Sequence, residues 1–136
     1  MLSSHQLRSL QAVVDRIIPA DEFPSGWEAG VGDYLLRQLQ TDLQPRLLAY
    51  RAGLDALDRE AQIVAGRHFA DLEAAMQDEI LVWIEAGEVT ATWPVRPIIW
   101  FRMLVEHVIE GYYGDPGNGG NHDAVSWRMI GFEVRG

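Results

Sequence analysis

The sequence predicts an all-α protein, an irregular bundle of about five to six helices followed by a Gly- and Asn-rich C-terminal loop. Apolar residues recur every three or four positions along most of the chain, which is the period of an amphipathic helix. No segment shows the apolar–polar alternation that is typical of a half-buried strand. The length of 136 residues fits one domain, so we expect a single helical domain over residues 1–136.

The first predicted helix has a marked start and a marked end. Ser3 and Gln6 have the S-x-x-Q spacing of a capping box, in which each side chain bonds the backbone of the other residue. Pro19 ends the helix, because it lacks an amide donor and clashes with the preceding turn. The apolar face between these points consists of Leu7, Leu10, Val14 and Ile17.

Two more helices are predicted before residue 66. Residues 19–26 form a loop by their Pro, Asp and Gly content, and Ser25 with Glu28 could cap the helix that follows. Pro45 marks the first turn of the third helix, since its fixed φ is already helical, and Gly66 breaks that helix. The apolar positions of these helices are Val31, Leu35 and Leu39, then Leu47, Tyr50, Leu54, Leu57 and Ala61.

The last two predicted helices are strongly apolar. A fourth apolar face runs from Phe69 to Ile84, over two short helices, and Gly87 ends it. The fifth helix begins near Pro94 or Pro97, and its stripe is widened by neighbouring apolar residues, so we expect it near the centre of the bundle. Its apolar residues are Ile98, Trp100, Phe101, Leu104, Val105, Val108, Ile109 and Tyr112.

The charge and the missing cysteines exclude several function classes. The net charge is −9, and every basic residue is an arginine, so binding to nucleic acid or to anionic lipid is disfavoured. The sequence has no cysteine, which excludes disulfides, zinc ribbons, cysteine-ligated iron–sulfur clusters and attached c-type haem. The histidines form no metal-binding motif, and the one Glu-rich helix around His107 lacks the partner helix of a di-iron site. We therefore expect no metal on this chain.

No segment is predicted to insert in a membrane. The most apolar stretch, residues 97–109, is too short to cross a bilayer and is interrupted by charged residues. The chain opens with an amphipathic helix, and no basic and apolar secretion signal is visible. The expectation is therefore a cytoplasmic protein. The alternative is a periplasmic one, exported with a partner or after removal of a leader.

The segment after the fifth helix has a different composition. Its glycines, asparagines and aspartates reach left-handed backbone conformations easily, so this loop can fold compactly. A dinucleotide fingerprint would need a preceding strand, and a Walker motif would need a lysine, which the chain lacks. Residues 115–123 also lack the register of a calcium loop. The preferred interpretation is a structured loop that supports the fold or contacts a partner.

Three blocks of sequence resemble the gluconate 2-dehydrogenase subunit 3 family, and together they run from the first helix to Phe132. The first block is Ile-Ile-Pro-Ala-Asp-Glu at 17–22, with Gly26 and the Ala-Gly-Val at 29–31. The second is less specific and consists of Phe69-x-x-Leu72 with Gln77 and Leu81.

The third block is the most distinctive. It begins with Gly-Tyr-Tyr-Gly-Asp-Pro at 111–116, continues with Gly-Gly-Asn at 119–121 and ends with 127–131. The residues of the first and third blocks are therefore the candidate partner-interface or motif residues. They are Pro19, Asp21, Glu22, Tyr112, Tyr113, Asp115, Pro116, Gly119, Gly120, Asn121, Trp127 and Gly131.

What the resemblance implies is a partnership. Family members are small subunits whose large partner is an FAD-containing oxidoreductase of the glucose-methanol-choline class, acting on sugars or sugar acids. A multihaem cytochrome c often takes the electrons. The small subunit assists folding, stability and often export of the flavoprotein. We therefore expect a noncatalytic accessory subunit that carries no cofactor, with FAD on the partner. The twin-arginine leader of exported members is not evident here.

A rival hypothesis is a stand-alone small helical enzyme or ligand-binding domain that uses the Asp115–Asp123 loop with Asp21 and His122. The adjacent carboxylates Asp21 and Glu22 could do acid–base work, but adjacent loop carboxylates more often face water or cap helices. For Asp21 we favour a structural role, either as a helix cap or as a partner of the C-terminal loop.

Exposed tryptophans and arginines could anchor a protein–protein interface. Trp27 and Trp93 are the tryptophans most expected at the surface, because both lie in loops. Arg96, Arg102 and Arg128 could pair with carboxylates of a partner or with carboxylates of this chain, and the sequence leaves both options open.

Overall fold

The computed structural model describes residues 1–21 and 23–113 of the chain. These residues form five α-helices and no strand, as the sequence predicts, while the predicted C-terminal loop lies outside them. Two short 3-10 turns, at Gln44–Arg46 and Phe69–Asp71, connect helices. The helices are α1 (Ser4–Ile17), α2 (Val31–Gln40), α3 (Leu47–Ala65), α4 (Ala74–Glu85) and α5 (Pro97–Tyr113).

The helix ends follow the local signals of the sequence. The capping box of α1 is confirmed, since the Gln6 amide donates to Ser3 Oγ at 3.1 Å and the Ser3 amide donates to Gln6 Oε1 at 2.9 Å. Gly66 ends α3 with φ of 71°, a left-handed conformation that glycine adopts without a Cβ penalty. Its amide donates to the carbonyl of Gln62, which leaves one fewer unpaired carbonyl at the end of α3.

Two predicted helix starts are displaced. Ser25 and Glu28 form the reciprocal cap bonds, at 3.3 and 3.2 Å, but they close a turn at residues 26–30, and α2 begins only at Val31. The delay coincides with Gly30, whose φ of 99° is not helical. Pro45 lies in the 3-10 turn that leads directly into α3 rather than in α3 itself.

The fifth helix is the centre of the bundle, as its apolar composition predicts. It contacts each of the other four helices, and α1 also packs on α3 and α4. No described helix is both long and apolar enough to span a bilayer. The largest fully buried side chains come from every helix and from the 3-10 turn at 69–71; they include Leu10, Leu35, Tyr50, Leu54, Leu57, Phe69, Ile80, Ile84, Leu104 and Tyr112.

A buried carboxylate fixes the connection between α4 and α5. Glu60 of α3 is 3% exposed, and it accepts hydrogen bonds from the amides of Thr90 and Ala91 and from Trp93 Nε1. Three donors satisfy the charge inside the protein, where an unpaired carboxylate would be costly. The connection is therefore held against α3 by a polar anchor inside an otherwise apolar interface.

Candidate partner interface

The loop of the first sequence block folds back on α1. The Gly26 amide donates to the carbonyl of Ile18 at 2.8 Å, and the Trp27 amide donates to Asp15 Oδ1 at 3.0 Å. A Cβ on Gly26 would lie 2.9 Å from Val14 Cγ1, so only glycine fits between the loop and the helix. The backbone of the loop is thus tied to the end of α1 and to the side chain of Asp15.

Asp21 makes a local turn. Its Oδ1 accepts from the Phe23 amide at 3.0 Å, and its own amide donates to the Phe23 carbonyl at 3.1 Å. The carboxylate is exposed and caps no described helix, so that part of the expectation was wrong. Its predicted bond to the C-terminal loop, and the predicted role of Glu22, involve residues outside the described ones.

The end of α5 packs against α2. Gly111 lies against Tyr34, where a Cβ would come within 2.7 Å of the ring. Tyr112 is buried, and burial, with a further effect from the Asp21 carboxylate, raises the pKa of its hydroxyl. Asp21 and Tyr112 are therefore close enough to interact electrostatically. Tyr113 is half-buried, and its ring meets that of Tyr112 edge to face.

The first block and the start of the third block are thus neighbours in space. Their described members behave differently: Pro19 and Asp21 are exposed, whereas Tyr112 and Tyr113 belong mainly to the core side of the molecule. The remaining predicted motif residues lie outside the described part of the chain. These are Asp115, Pro116, Gly119, Gly120, Asn121, Trp127 and Gly131, and with them lie Arg128 and the His122 of the rival hypothesis.

An open groove lies between the end of α1 and α4. We call it the α1–α4 groove; it encloses about 270 Å³ and reaches α5 at Phe101. At its charged edge the Arg16 guanidinium donates two hydrogen bonds to the Asp78 carboxylate, at 2.8 and 3.0 Å. This hydrogen bonding raises the pKa of Arg16. The groove is lined by Arg16, Ile17, Pro19, Asp78, Leu81, Val82, Glu85 and Phe101.

A second and more polar cleft, of about 380 Å³, lies along α1 beside the groove. Its two arginines are already paired, Arg8 with Asp71 at 2.7 Å and Arg16 with Asp78. Gln77 is buried at its edge and donates to the Phe69 carbonyl at 2.8 Å. These internal bonds tie α1 to α4 and to the 3-10 turn at 69–71. They therefore help to fix the relative position of the two helices that form the groove.

His68 pairs with a carboxylate of α3. His68 Nδ1 lies 2.8 Å from Asp58, whose carboxylate also accepts from the Phe69 amide. Burial acts to raise the pKa of Asp58, but the bonds from His68, Phe69 and Gln62 outweigh it and lower that pKa. Within residues 1–21 and 23–113, no group of three or more His, Asp or Glu side chains is arranged to hold a metal ion.

A partly buried tyrosine–histidine pair joins α3 to α5. Tyr50 Oη lies 2.6 Å from His107 Nδ1, and the two rings are stacked. Burial raises the pKa of Tyr50, with smaller effects from Glu110 and Tyr34, so its hydroxyl keeps the proton in the hydrogen bond with Nδ1. Burial lowers the pKa of His107, although Glu110 and Glu106 act against it and Arg46 acts with it.

We expect this pair to make stability depend on pH. The pKa of His107 is lower in the folded protein than the value of about 6.5 in an unfolded chain. The unfolded state therefore binds more protons, and the free energy of unfolding should fall as the pH drops from 6.5 towards the folded pKa. The slope should stay below the one-proton limit of about 1.4 kcal/mol per pH unit, because His107 is only half-buried.

Urea unfolding measured between pH 7.5 and pH 5 tests this. The variant His107→Phe keeps a ring in place but cannot titrate, so its stability should vary less over that range than that of the wild type. The slopes of the two proteins are compared rather than their absolute stabilities, since the variant also loses the hydrogen bond to Tyr50 at every pH. Equal slopes in the two proteins would contradict the assignment of the pH dependence to His107.

The two tryptophans expected at the surface are half-buried and packed against the core. Trp27 lies over Gly32, where a Cβ would come within 2.7 Å of its ring. Trp93 meets Trp100 edge to face and donates to Glu60. Both tryptophans are therefore less exposed than the sequence predicts, because part of each ring packs against the molecule itself.

Two of the arginines that the sequence offers as possible interface residues lie in the described part of the chain. Arg96 and Arg102 are exposed, and neither forms an ion pair within the described residues. The sequence analysis missed Glu60 and the exposed Val82. A signal for Val82 existed, because it lies off the stripe of α4 that contains Met76, Ile80 and Ile84.

A model of a known protein family matches the chain. The model is described as gluconate 2-dehydrogenase subunit 3, and the match covers residues 4–134, which is nearly the whole sequence. This confirms the resemblance inferred from the three sequence blocks. No curated protein and no solved structure matches the chain.

Proposed function

We propose, since the chain belongs to the gluconate 2-dehydrogenase subunit 3 family, that it is a noncatalytic accessory subunit of a sugar or sugar-acid dehydrogenase complex. Members of this family are subunits of a dehydrogenase complex. In the proposal, this subunit binds the catalytic subunit, which carries the FAD, and stabilises it. The family match over residues 4–134 is the observation that carries the proposal.

The proposed partner is an oxidoreductase of the glucose-methanol-choline class, and a cytochrome c subunit receives its electrons. The accessory subunit contributes no cofactor of its own to this assembly. Its effect on the partner is thermodynamic: a protein that binds only the folded flavoprotein lowers the population of unfolded flavoprotein. At a subunit concentration of 100 times the Kd, this stabilisation is about 2.7 kcal/mol.

The internal bonding of the described residues supports a scaffold role. Glu60 and Asp58 are both committed to backbone donors, and Tyr50 and His107 are committed to each other. Groups that are held in this way keep a surface rigid, which reduces the entropy lost when a partner binds. The α1–α4 groove has apolar residues open to solvent, and the Arg16–Asp78 pair ties its two helices together.

Co-expression with an FAD-dependent dehydrogenase from the same organism tests the proposal. The two chains should copurify, and after they are separated the flavin absorbance should stay with the larger one. Without this subunit, the yield of soluble and active flavoprotein should fall severalfold. An undiminished yield of active flavoprotein in its absence, or turnover of a sugar by this chain alone, would contradict the proposed role.

A further inference from the structure

The α1–α4 groove has an apolar interior that the core does not close. Ile17, Leu81 and Phe101 belong to the core, with 6–7% of each exposed, and the parts that remain exposed line this groove. Val82 is 62% exposed, and Pro19 is exposed beside it in the lining. An apolar pocket of this kind gains free energy when an apolar group removes its surface from water.

Folding alone gives no reason for a valine at position 82. The position is on the solvent side of α4, where a branched side chain loses rotamer freedom and gains little packing. Single exposed apolar residues are common on proteins, and Leu48 and Ile63 are examples on α3. Val82 differs from these two because it borders a preformed groove.

Carboxylates surround Val82 on the same face of α4. Asp78 and Glu79 lie four and three residues before Val82, and Glu85 lies three residues after it. These spacings place all three next to Val82 on the helix surface. Residues 73–88 contain five carboxylates and no basic residue. Of the two carboxylates that line the groove, Asp78 is paired with Arg16, so Glu85 gives the groove a negative edge, and Glu79 adds a second negative charge beside Val82 just outside the lining.

We propose that this groove binds an apolar side chain of the catalytic dehydrogenase subunit, flanked by arginines or lysines that meet Glu79 and Glu85. The inference rests on the proposed function and names the face that does the binding. Complementary charge around an apolar centre favours one partner and one orientation. The fixed φ of Pro19 and the Arg16–Asp78 pair restrict the conformations that the groove can adopt in the absence of a partner.

A second copy of this chain does not fit the groove equally well. A two-fold symmetric contact through the groove would bring the same acidic patch of both copies into one interface, with no basic surface of the partner opposite it. Each copy also carries a net charge of −9, which opposes association at low salt. The occupant argued from charge is therefore a basic surface on a different protein.

The test compares two apolar-to-acidic variants in binding to the purified FAD-containing subunit. Val82→Glu adds a carboxylate to the groove, and Ile63→Glu makes the same kind of change at an exposed site on α3 outside it. Glutamate forms helices well, so both variants should fold, which circular dichroism will verify. We expect Val82→Glu to raise the Kd by more than about tenfold and Ile63→Glu to leave it within about twofold.

A charge-reversed variant gives a second, independent reading. Glu85→Arg should weaken binding severalfold and flatten its dependence on salt, because it removes an attraction at the edge of the interface. Wild-type affinity in Val82→Glu and Glu85→Arg would overturn the groove as the docking site and leave the accessory role intact. Failure of the wild-type chain to bind the flavoprotein would overturn both. Self-association abolished by Val82→Glu would assign the groove to a second copy instead.

Discussion

The variant Glu60→Ala should lose about 3 kcal/mol of its free energy of unfolding. Truncation leaves three donors without their acceptor: the amides of Thr90 and Ala91, bonded at 2.9 and 2.6 Å, and Trp93 Nε1 at 3.1 Å. Glu60 is 3% exposed, so water cannot replace the carboxylate without opening the contact between α3 and the α4–α5 connection. Urea denaturation followed by circular dichroism measures the loss.

The conservative variant Glu60→Gln should have a free energy of unfolding between those of the wild type and Glu60→Ala. Its amide oxygen can take the position of Oε1, which accepts from all three donors, so most of the bonds survive without the charge. The expected cost is about 1 kcal/mol, since bonds to a charged acceptor are roughly twice as strong as neutral ones. This ordering separates a charge-assisted anchor from simple loss of side-chain volume.

Arg59 provides a matched control on the same helix. Its side chain is exposed and donates to the Thr92 carbonyl at 3.2 Å, so it bonds the same connection from outside. Arg59→Ala should change the free energy of unfolding by less than about 0.5 kcal/mol. Amide hydrogen exchange at residues 90 and 91 should accelerate in Glu60→Ala and stay slow in Arg59→Ala. Equal effects of the two substitutions would contradict the buried anchor.

The sequence predicts what is local. The capping box of Ser3 and Gln6, the end of α1 before Pro19 and the break at Gly66 each depend on a few adjacent residues, and each is found. The central place of α5 was also predictable, because apolar residues cover most of its circumference. These features need no knowledge of which helices are neighbours.

The sequence does not reveal the contacts between residues that lie far apart in the chain. Glu60 lies within the apolar stripe of Leu57 and Ala61, which indicates a buried carboxylate, but its donors are about 30 residues further along the chain. Gly26 and Gly111 were visible as parts of the sequence blocks, yet the close contacts that require glycine are with Val14 and Tyr34 on other elements. Such requirements arise only when helices pack.

The groove was hidden for the same reason. Ile17 and Pro19 were assigned to the first helix and its terminating loop, and Phe101 was assigned to the core stripe of the fifth helix. Only the packing of α1, α4 and α5 brings their edges together and leaves an apolar gap beside Val82. Of the two described candidate residues of the first block, Pro19 and Asp21, the exposed Pro19 lies in this lining.

Gly53→Ala should destabilise the protein by about 2–3 kcal/mol. Gly53 is a buried residue of α3, and a Cβ on it would overlap the indole ring of Trp100 on α5. In an exposed helix, alanine would be favoured over glycine by about 1 kcal/mol. Here the overlap dominates, because Trp100 is 2% exposed and is held by Trp93, so its ring has no free space to enter.

Gly66→Ala is the comparison glycine variant. Nothing lies within 4 Å of a Cβ at Gly66, and its cost of about 1 kcal/mol should come only from the left-handed backbone at φ of 71°. The thermal or urea midpoints of the two variants therefore separate backbone strain from steric overlap. A Gly53→Ala protein that is more stable than Gly66→Ala would contradict the close packing of α3 on α5.

A double-mutant cycle with Trp100→Leu isolates the overlap itself. Leucine removes the indole, including Trp100 Nε1, which has no hydrogen-bond acceptor among the described residues. In this background Gly53→Ala should no longer destabilise, and the helix propensity of alanine should raise the free energy of unfolding by up to about 1 kcal/mol. A change of sign between the two backgrounds gives a coupling of about 3 kcal/mol, as expected for residues in direct contact. Additive effects would mean that the cost of alanine at position 53 arises within α3 and not at its contact with α5.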